Sequence, residues 1–209
     1  MEKKYKLTNE FITINKITDR KVYRIKALCD FGDVKKGDIG GYIESEKNLS
    51  HRGNAWVYNN AQVSGKAHVL GNARVFNNAK VSGNARISGN ARIFNNAEVF
   101  GDTLVSGNAR VSGNAIIYGN ARVSGNAQIS DNASISSNSD YITVSLIEHY
   151  GECVTFFKNK KKGISVICGW YKYDLDGFKN TVKNEYSGTK YELIYLKAAE
   201  LAELQINSK

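Results

Sequence analysis

The chain has 209 residues, 42% hydrophobic and 23% charged, a globular rather than a disordered profile that fits one large domain or a central domain with appendages. Its formal charge is +9, and residues 51–138 hold most of the imbalance with 8 basic against 3 acidic side chains, an excess that can steer an anionic partner. No apolar run approaches the roughly 20 residues of a membrane span and MEKKYKLTNEF lacks a signal peptide's apolar core, so a cytoplasmic protein with no membrane contact is expected.

Residues 1–50 read as an N-terminal β cap. FITI and KVYRIKAL have strand character, with a turn at Thr18-Asp19-Arg20. The stretch KKGDIGGYIESEKNLSHRGNAWV then leads into a repeat. Ile43 and Leu49 are six apart but Leu49 and Val57 are eight apart, which predicts one irregular coil before the regular ones.

From Val57 to Ile135, Val or Ile occupies every sixth position, and two places earlier sits Ala, with Thr103 the exception. Six is not a helical period: residues i and i+6 lie about 120° apart on an α-helix, so no apolar face forms. The β-branched residues and the Gly-Asn and Asn-Asn pairs favour short strands joined by tight corners. A slower beat runs over the fast one. Tyr58-Asn59-Asn60, Phe76-Asn77-Asn78 and Phe94-Asn95-Asn96 recur every eighteen residues, as expected if three hexads make one turn of a triangular solenoid and the triplets stack at one corner.

The pattern Val-Ser-Gly-Asn-Ala-Arg resembles the hexapeptide-repeat, left-handed β-helix family over roughly residues 57–138. That resemblance implies a left-handed parallel β-helix, although the general crossover rule favours the opposite hand. The predicted fold is therefore mainly β: a left-handed β-helix of about four and a half coils over 51–138, the N-terminal β cap, and a small α+β domain over 139–209.

With the aliphatic residue inward, its neighbours point outward. One face then carries Trp56, Arg74, Arg92 and Arg110 in one column and Tyr58, Phe76 and Phe94 beside it. Stacked arginines repel and stacked exposed aromatics cost solvation, so something is expected to cover this face. Three readings are open: self-association into a dimer or trimer, covering by the terminal segments, or a partner surface combining phosphate contacts with stacking. A second face carries a smaller apolar patch, Phe100, Ile116 and Tyr118.

After Asn138, YITVSLI, CVTFF and ISVICGWYKY read as strands, with a hairpin turn at Lys160-Lys161-Lys162-Gly163. Trp170, Tyr171 and Tyr173 are expected in packing. A helix is predicted from Asp174 to about Tyr186, capped by Asp174 or Asp176. A second spans roughly Lys190–Leu204, with Leu193, Leu196, Leu201 and Leu204 as its apolar face.

The cysteines Cys29, Cys153 and Cys168 are scattered without paired spacing, so buried reduced thiols are expected rather than disulfides or a zinc site. The histidines are His51, His68 and His149, and only His68 lies in the array, too few for the zinc-binding members of the resembled family, while the hexads from Val57 to Ile135 lack the inserted loop that its acyltransferase members use. No catalytic residue, metal or cofactor is expected. KALCDFGDVKKGDIGGYIESEKNLS, the GNARVS array and CGWYKYDLDGFKNTVKNEY together resemble a group of phage- and prophage-encoded hexapeptide-repeat proteins. The resemblance implies a viral accessory protein acting in the host cytoplasm. The reading it favours is a non-catalytic inhibitor of host antiviral defence that binds an effector protein or its nucleic acid. A virion-associated scaffold is the alternative, and an acyltransferase-like enzyme stands behind both.

Overall fold

The computed structural model describes residues 3–15, 17–145 and 153–207. Strands β1 (Tyr5–Asn15) and β2 (Arg20–Ala27) form an antiparallel hairpin, and Asp19 takes positive φ in its turn. β2 pairs antiparallel with β3 (Ile39–Ile43), which is parallel to the first coil, Tyr42 opposite Gln62 and Ile43 opposite Val63. The N-terminal strands thus extend one face of the repeat as a single sheet.

Strands β4 (Trp56–Val57) to β17 (Ser134–Ile135) are two residues each and form a parallel β-solenoid of about five turns. Three sheets make its faces: β5-β8-β11-β14-β17 continuing from β3, β4-β7-β10-β13-β16, and β6-β9-β12-β15. Every strand pairs with the one three hexads away, so one turn is eighteen residues, as the slow beat predicted. The interior is a dry stack of the aliphatic residues and their alanines, all essentially fully buried. Each such Val or Ile contributes about 1.5–3 kcal/mol from burial. The irregular coil is present too, since Leu49 bridges Val69 in parallel.

The Phe-Asn-Asn triplets occupy one corner. Asn59, Asn77 and Asn95 there have φ of +53 to +60°, where the other two corners use glycine. Asn tolerates this left-handed region, and it adds what glycine lacks: Asn77 Nδ2 donates to Asn95 Oδ1 at 3.0 Å in the next coil.

A solenoid end leaves backbone groups unpaired, and the flanking segments satisfy them with opposite chemistry. In the interior, N–H groups donate to carbonyls of the following coil, as Trp56 to Ala73 and His68 to Ala85. The first coil therefore has carbonyls without donors. Lys4 Nζ supplies Gly53 O (3.1 Å) and Ala55 O (2.8 Å), and Asn48 Nδ2 supplies Gly65 O (3.0 Å) and Ala67 O (2.9 Å). The last coil has N–H groups without acceptors. Thr155 Oγ1 accepts from Gln128 (3.1 Å), Asn138 Oδ1 from Arg122 and Asp140 Oδ2 from Ser136 (2.8 Å each).

The C-terminal sheet is antiparallel: β18 (Tyr141–Ser145), β19 (Cys153–Lys158), β20 (Ile164–Cys168) and β21 (Tyr171–Asp174). The end of the YITVSLI segment and His149 lie outside the described residues. The lysine turn joins β19 to β20, with Lys162 at positive φ. Helix α1 (Leu175–Glu185) starts at Asp174, whose side chain accepts from the Gly177 N–H.

Helix α2 (Lys190–Asn207) corrects the predicted face. Tyr195, Ala198, Ala199, Ala202 and Ile206 are buried, while Leu193, Leu201 and Leu204 are exposed and Leu196 is half-buried. Three alanines share the inner face with Tyr195 and Ile206, and three of the four leucines are left outside. Trp170 (91% exposed) and Tyr171 (69%) likewise stay outside the core, Tyr171 stacking only on Tyr173 (6.4 Å), which itself packs against Phe178. Of the three free cysteines only Cys153 is buried; Cys29 and Cys168 are half-buried.

Candidate functional site

The face built by β4, β7, β10, β13 and β16 aligns Trp56, Arg74, Arg92, Arg110 and Gln128 in register. Beside them run Tyr58, Phe76, Phe94, Ser112 and Ser130. The sequence treats this as one continuous surface, but the structure divides it in three.

The N-terminal third is covered. Trp56 is 1% exposed, with Phe31 (5.3 Å) and Tyr5 (6.0 Å) edge-on to its indole. Gly40 makes room for it, since a Cβ there would lie 2.7 Å from Trp56 Cζ2. Trp56 is therefore packing and not a partner contact: it points outward, as alternation requires, into a cap that alternation cannot reveal. Asp33, from the turn before β3, ties down the next layer. It accepts from Tyr58 Oη at 2.9 Å and from both terminal guanidinium nitrogens of Arg74 at 2.9–3.0 Å. Burial, aided by the Asp33 hydrogen bond, pushes the Tyr58 pKa up to about 12. Sequence reasoning missed Asp33, and no local signal marks it, because only the docking of residues 31–34 brings it to the column.

At the far end, Ser130 is 4% exposed and the Gln128 N–H is bonded to Thr155. The C-terminal sheet covers this layer.

The centre stays open. Phe76 and Phe94 stack with centroids 4.9 Å apart and planes 2° from parallel. Arg92 and Arg110 are exposed, and among the described residues no carboxylate lies within ion-pair reach of either. Arg92 is the shared wall of two depressions. One, about 190 Å³, is lined by Asp33, Tyr58, Asn59, Arg74, Phe76 and Arg92. The other, about 320 Å³, is lined by Asn90, Arg92, Asn108, Arg110, Asn126 and Gln128. Its amide wall is fixed in place by a ladder, Asn72 to Asn90 (3.1 Å), Asn90 to Asn108 (3.0 Å) and Asn108 to Asn126 (3.1 Å). The guanidinium groups thus project from a rigid floor, uncompensated and one coil apart, about 4.8 Å.

The second patch lies on the adjoining sheet. Phe100 (38% exposed) stacks on Tyr118 at 5.8 Å, and Ile116 beside them is half-buried. The Lys80–Glu98 pair on the same face, 3.3 Å, cancels its own charge.

His51 belongs to the N-terminal cap. It stacks on Tyr5 at 4.3 Å, and its Nδ1 accepts from the Lys4 N–H at 3.3 Å. Burial holds its pKa below the ordinary imidazole range. His68 is exposed, in a separate depression of about 440 Å³ that also includes Glu46, His51 and Arg86. Among the described residues, no three His, Cys, Asp or Glu side chains converge as a metal site would require, and no helix is long and apolar enough to cross a membrane.

A family model described as the YdcK beta solenoid repeat matches residues 85–101, 105–117 and 115–127, all within the regular coils. No curated protein matches the chain. Repeat match and coil geometry agree on one conclusion: the chain is a β-solenoid repeat protein.

Proposed function

We propose that this is a non-catalytic binding protein whose central face, Arg92 and Arg110 beside the Phe76–Phe94 stack, docks an anionic partner. One observation carries the reading. Both caps stop short of the middle coils, leaving two uncompensated guanidinium groups and two half-buried rings on a rigid surface. Guanidinium binds phosphate or carboxylate well, and rigid aromatics and arginines dominate binding hot spots. The groups at its open centre are guanidinium, carboxamide and phenyl, which grip a ligand but exchange no proton near neutral pH, and the carboxylate beside them, Asp33, is engaged by Arg74 and Tyr58. In its specific form, the proposal is of a phage-encoded inhibitor that occupies a host antiviral effector or that effector's nucleic acid.

The same charges argue against self-association through this face. A two-fold contact would bring four guanidinium groups together without a carboxylate among them. Phe100, Ile116 and Tyr118 make the better candidate for a contact between copies, since that face is neutralised by Lys80 and Glu98. A lower sedimenting mass for Phe100→Asp, with none for Phe94→Asp, would support this assignment.

The docking reading is tested by titrating the protein with a short single-stranded oligonucleotide at several salt concentrations. Each phosphate contact steepens the log affinity–log salt plot, so Arg92→Gln with Arg110→Gln should flatten the slope by about 0.7 per arginine on a single strand. An unchanged slope contradicts the proposal. In a plaque assay, the same double variant should lose any protection against host defence that the wild-type protein confers.

A further inference from the structure

The aromatic column on the open face stops one coil early. Phe76 and Phe94 are parallel and stacked at the coil spacing, and the register continues to Ser112, one layer on, which has no ring. Beyond Ser112 the next residue of the column, Ser130, is buried under the C-terminal sheet. One layer is therefore vacant, with the face of Phe94 on one side and the covered final coil on the other.

Cations and amides flank that layer, and the Asp131–Lys172 ion pair (2.7 Å) lies one coil beyond it at the same corner. Arg110 precedes Ser112 by two residues on the same strand, about 6.6 Å along it, and Arg92 lies one coil below. On the other side the chain turns at Gly113 and Asn114. Lys160 reaches this corner from the lysine turn, its Nζ donating to Asn114 O at 3.1 Å. Asn114 also ends a ladder: Asn78 donates to Asn96 and Asn96 to Asn114, each at 3.3 Å, while the exposed Asn114 Nδ2 has no acceptor among the described residues. The gap thus offers a ring face, an amide at the adjoining corner without an acceptor among the described residues, and positive charge to either side.

We infer that the vacant layer receives one base of a single-stranded nucleic acid, stacked on Phe94, with the neighbouring phosphate held by Arg92 and Arg110. This rests on the anionic-partner reading above and names the partner's chemistry. A flat group with acceptors on its edge matches Phe94 and Asn114 together, whereas a phenyl ring would leave the amide unused. A chain that alternates rings with anions matches Arg110 and Lys160 on opposite sides of the gap. A basic groove with aromatic platforms is the general solution for single strands, in which stacking tolerates any sequence.

The test compares a short oligothymidylate with an abasic strand of equal length and charge, by fluorescence anisotropy on the full chain. The base-bearing strand should bind about tenfold more tightly, the scale of one stacked base. Ser112→Phe fills the layer with the residue that the two preceding coils already carry, so the fold tolerates it. That variant should erase the preference for bases while keeping the salt dependence. Phe94→Ala should erase it as well. Equal affinity for the two strands, with dependence on Arg92 and Arg110 intact, would overturn the base-stacking inference and leave the anionic-partner reading standing. Loss of arginine dependence for both strands would overturn the two together.

Discussion

Asp33 restrains the open face, so removing its charge should strengthen binding. In Asp33→Asn the side chain still accepts from Tyr58 Oη, but Arg74 loses the carboxylate now 2.9–3.0 Å away. A third guanidinium then joins Arg92 and Arg110 at one-coil spacing. One added phosphate contact steepens the salt slope by about 0.7 on a single strand, so an oligothymidylate should gain about threefold more when salt is lowered from about 200 to about 50 mM. The stability cost is small, because the pair is surface-exposed at 34% and 52% and such pairs contribute at most about 1 kcal/mol. Anisotropy titrations at four salt concentrations, with a thermal melt of each protein, measure both effects. Equal or weaker affinity for Asp33→Asn at an unchanged melting temperature would refute the claim that this column meets the anion.

Two further expectations concern the fold. Burial lowers the Lys4 pKa from its ordinary 10.5 to about 8, so the unfolded chain binds more protons between those values. Lys4 therefore contributes stability that is fully present above about pH 10.5 and lost as pH falls towards about 8. Lys4→Met should lack this increment, and melting curves of the two proteins across that window, taken as a difference, read it directly. Thr103 holds the small interior position that alanine fills in the other regular hexads, and its buried Oγ1 has no hydrogen-bond partner among the described residues. Thr103→Val keeps the shape and removes the stranded hydroxyl, so it should stabilise the protein by about 1 kcal/mol in urea unfolding. A loss of stability would mean that the hydroxyl is satisfied in solution.

The repeat was legible because its physics is local. A residue every six positions with alanine two places earlier can bury its side chains only in a stacked coil, and the eighteen-residue recurrence of Phe-Asn-Asn counts the sides. The eight-residue step from Leu49 to Val57 marked the irregular coil, now seen in the Leu49–Val69 bridge. Whatever depended on one segment lying over another was not legible. Alternation puts Trp56 outward, and the same rule applies whether water or Phe31 and Tyr5 lie beyond it. Hydropathy put leucines on the inner face of α2, where the buried residues are Tyr195, Ala198, Ala199, Ala202 and Ile206. The site shows the same limit. Arg92, Phe94 and Arg110 followed from the repeat, while Asp33 and Lys160, which bound them, come from segments far away in sequence.

The central claim is that the partner contacts one face of three, and arginine footprinting tests it most directly. Arg92 and Arg110 lie on the open face, while Arg86 and Arg122 lie on the sheet of β6, β9, β12 and β15. All four are exposed, so all four should react with phenylglyoxal in the free protein. With oligothymidylate bound, protection should fall on Arg92 and Arg110 and leave Arg86 and Arg122 reactive. Equal protection of all four, or protection confined to Arg86 and Arg122, would contradict the account.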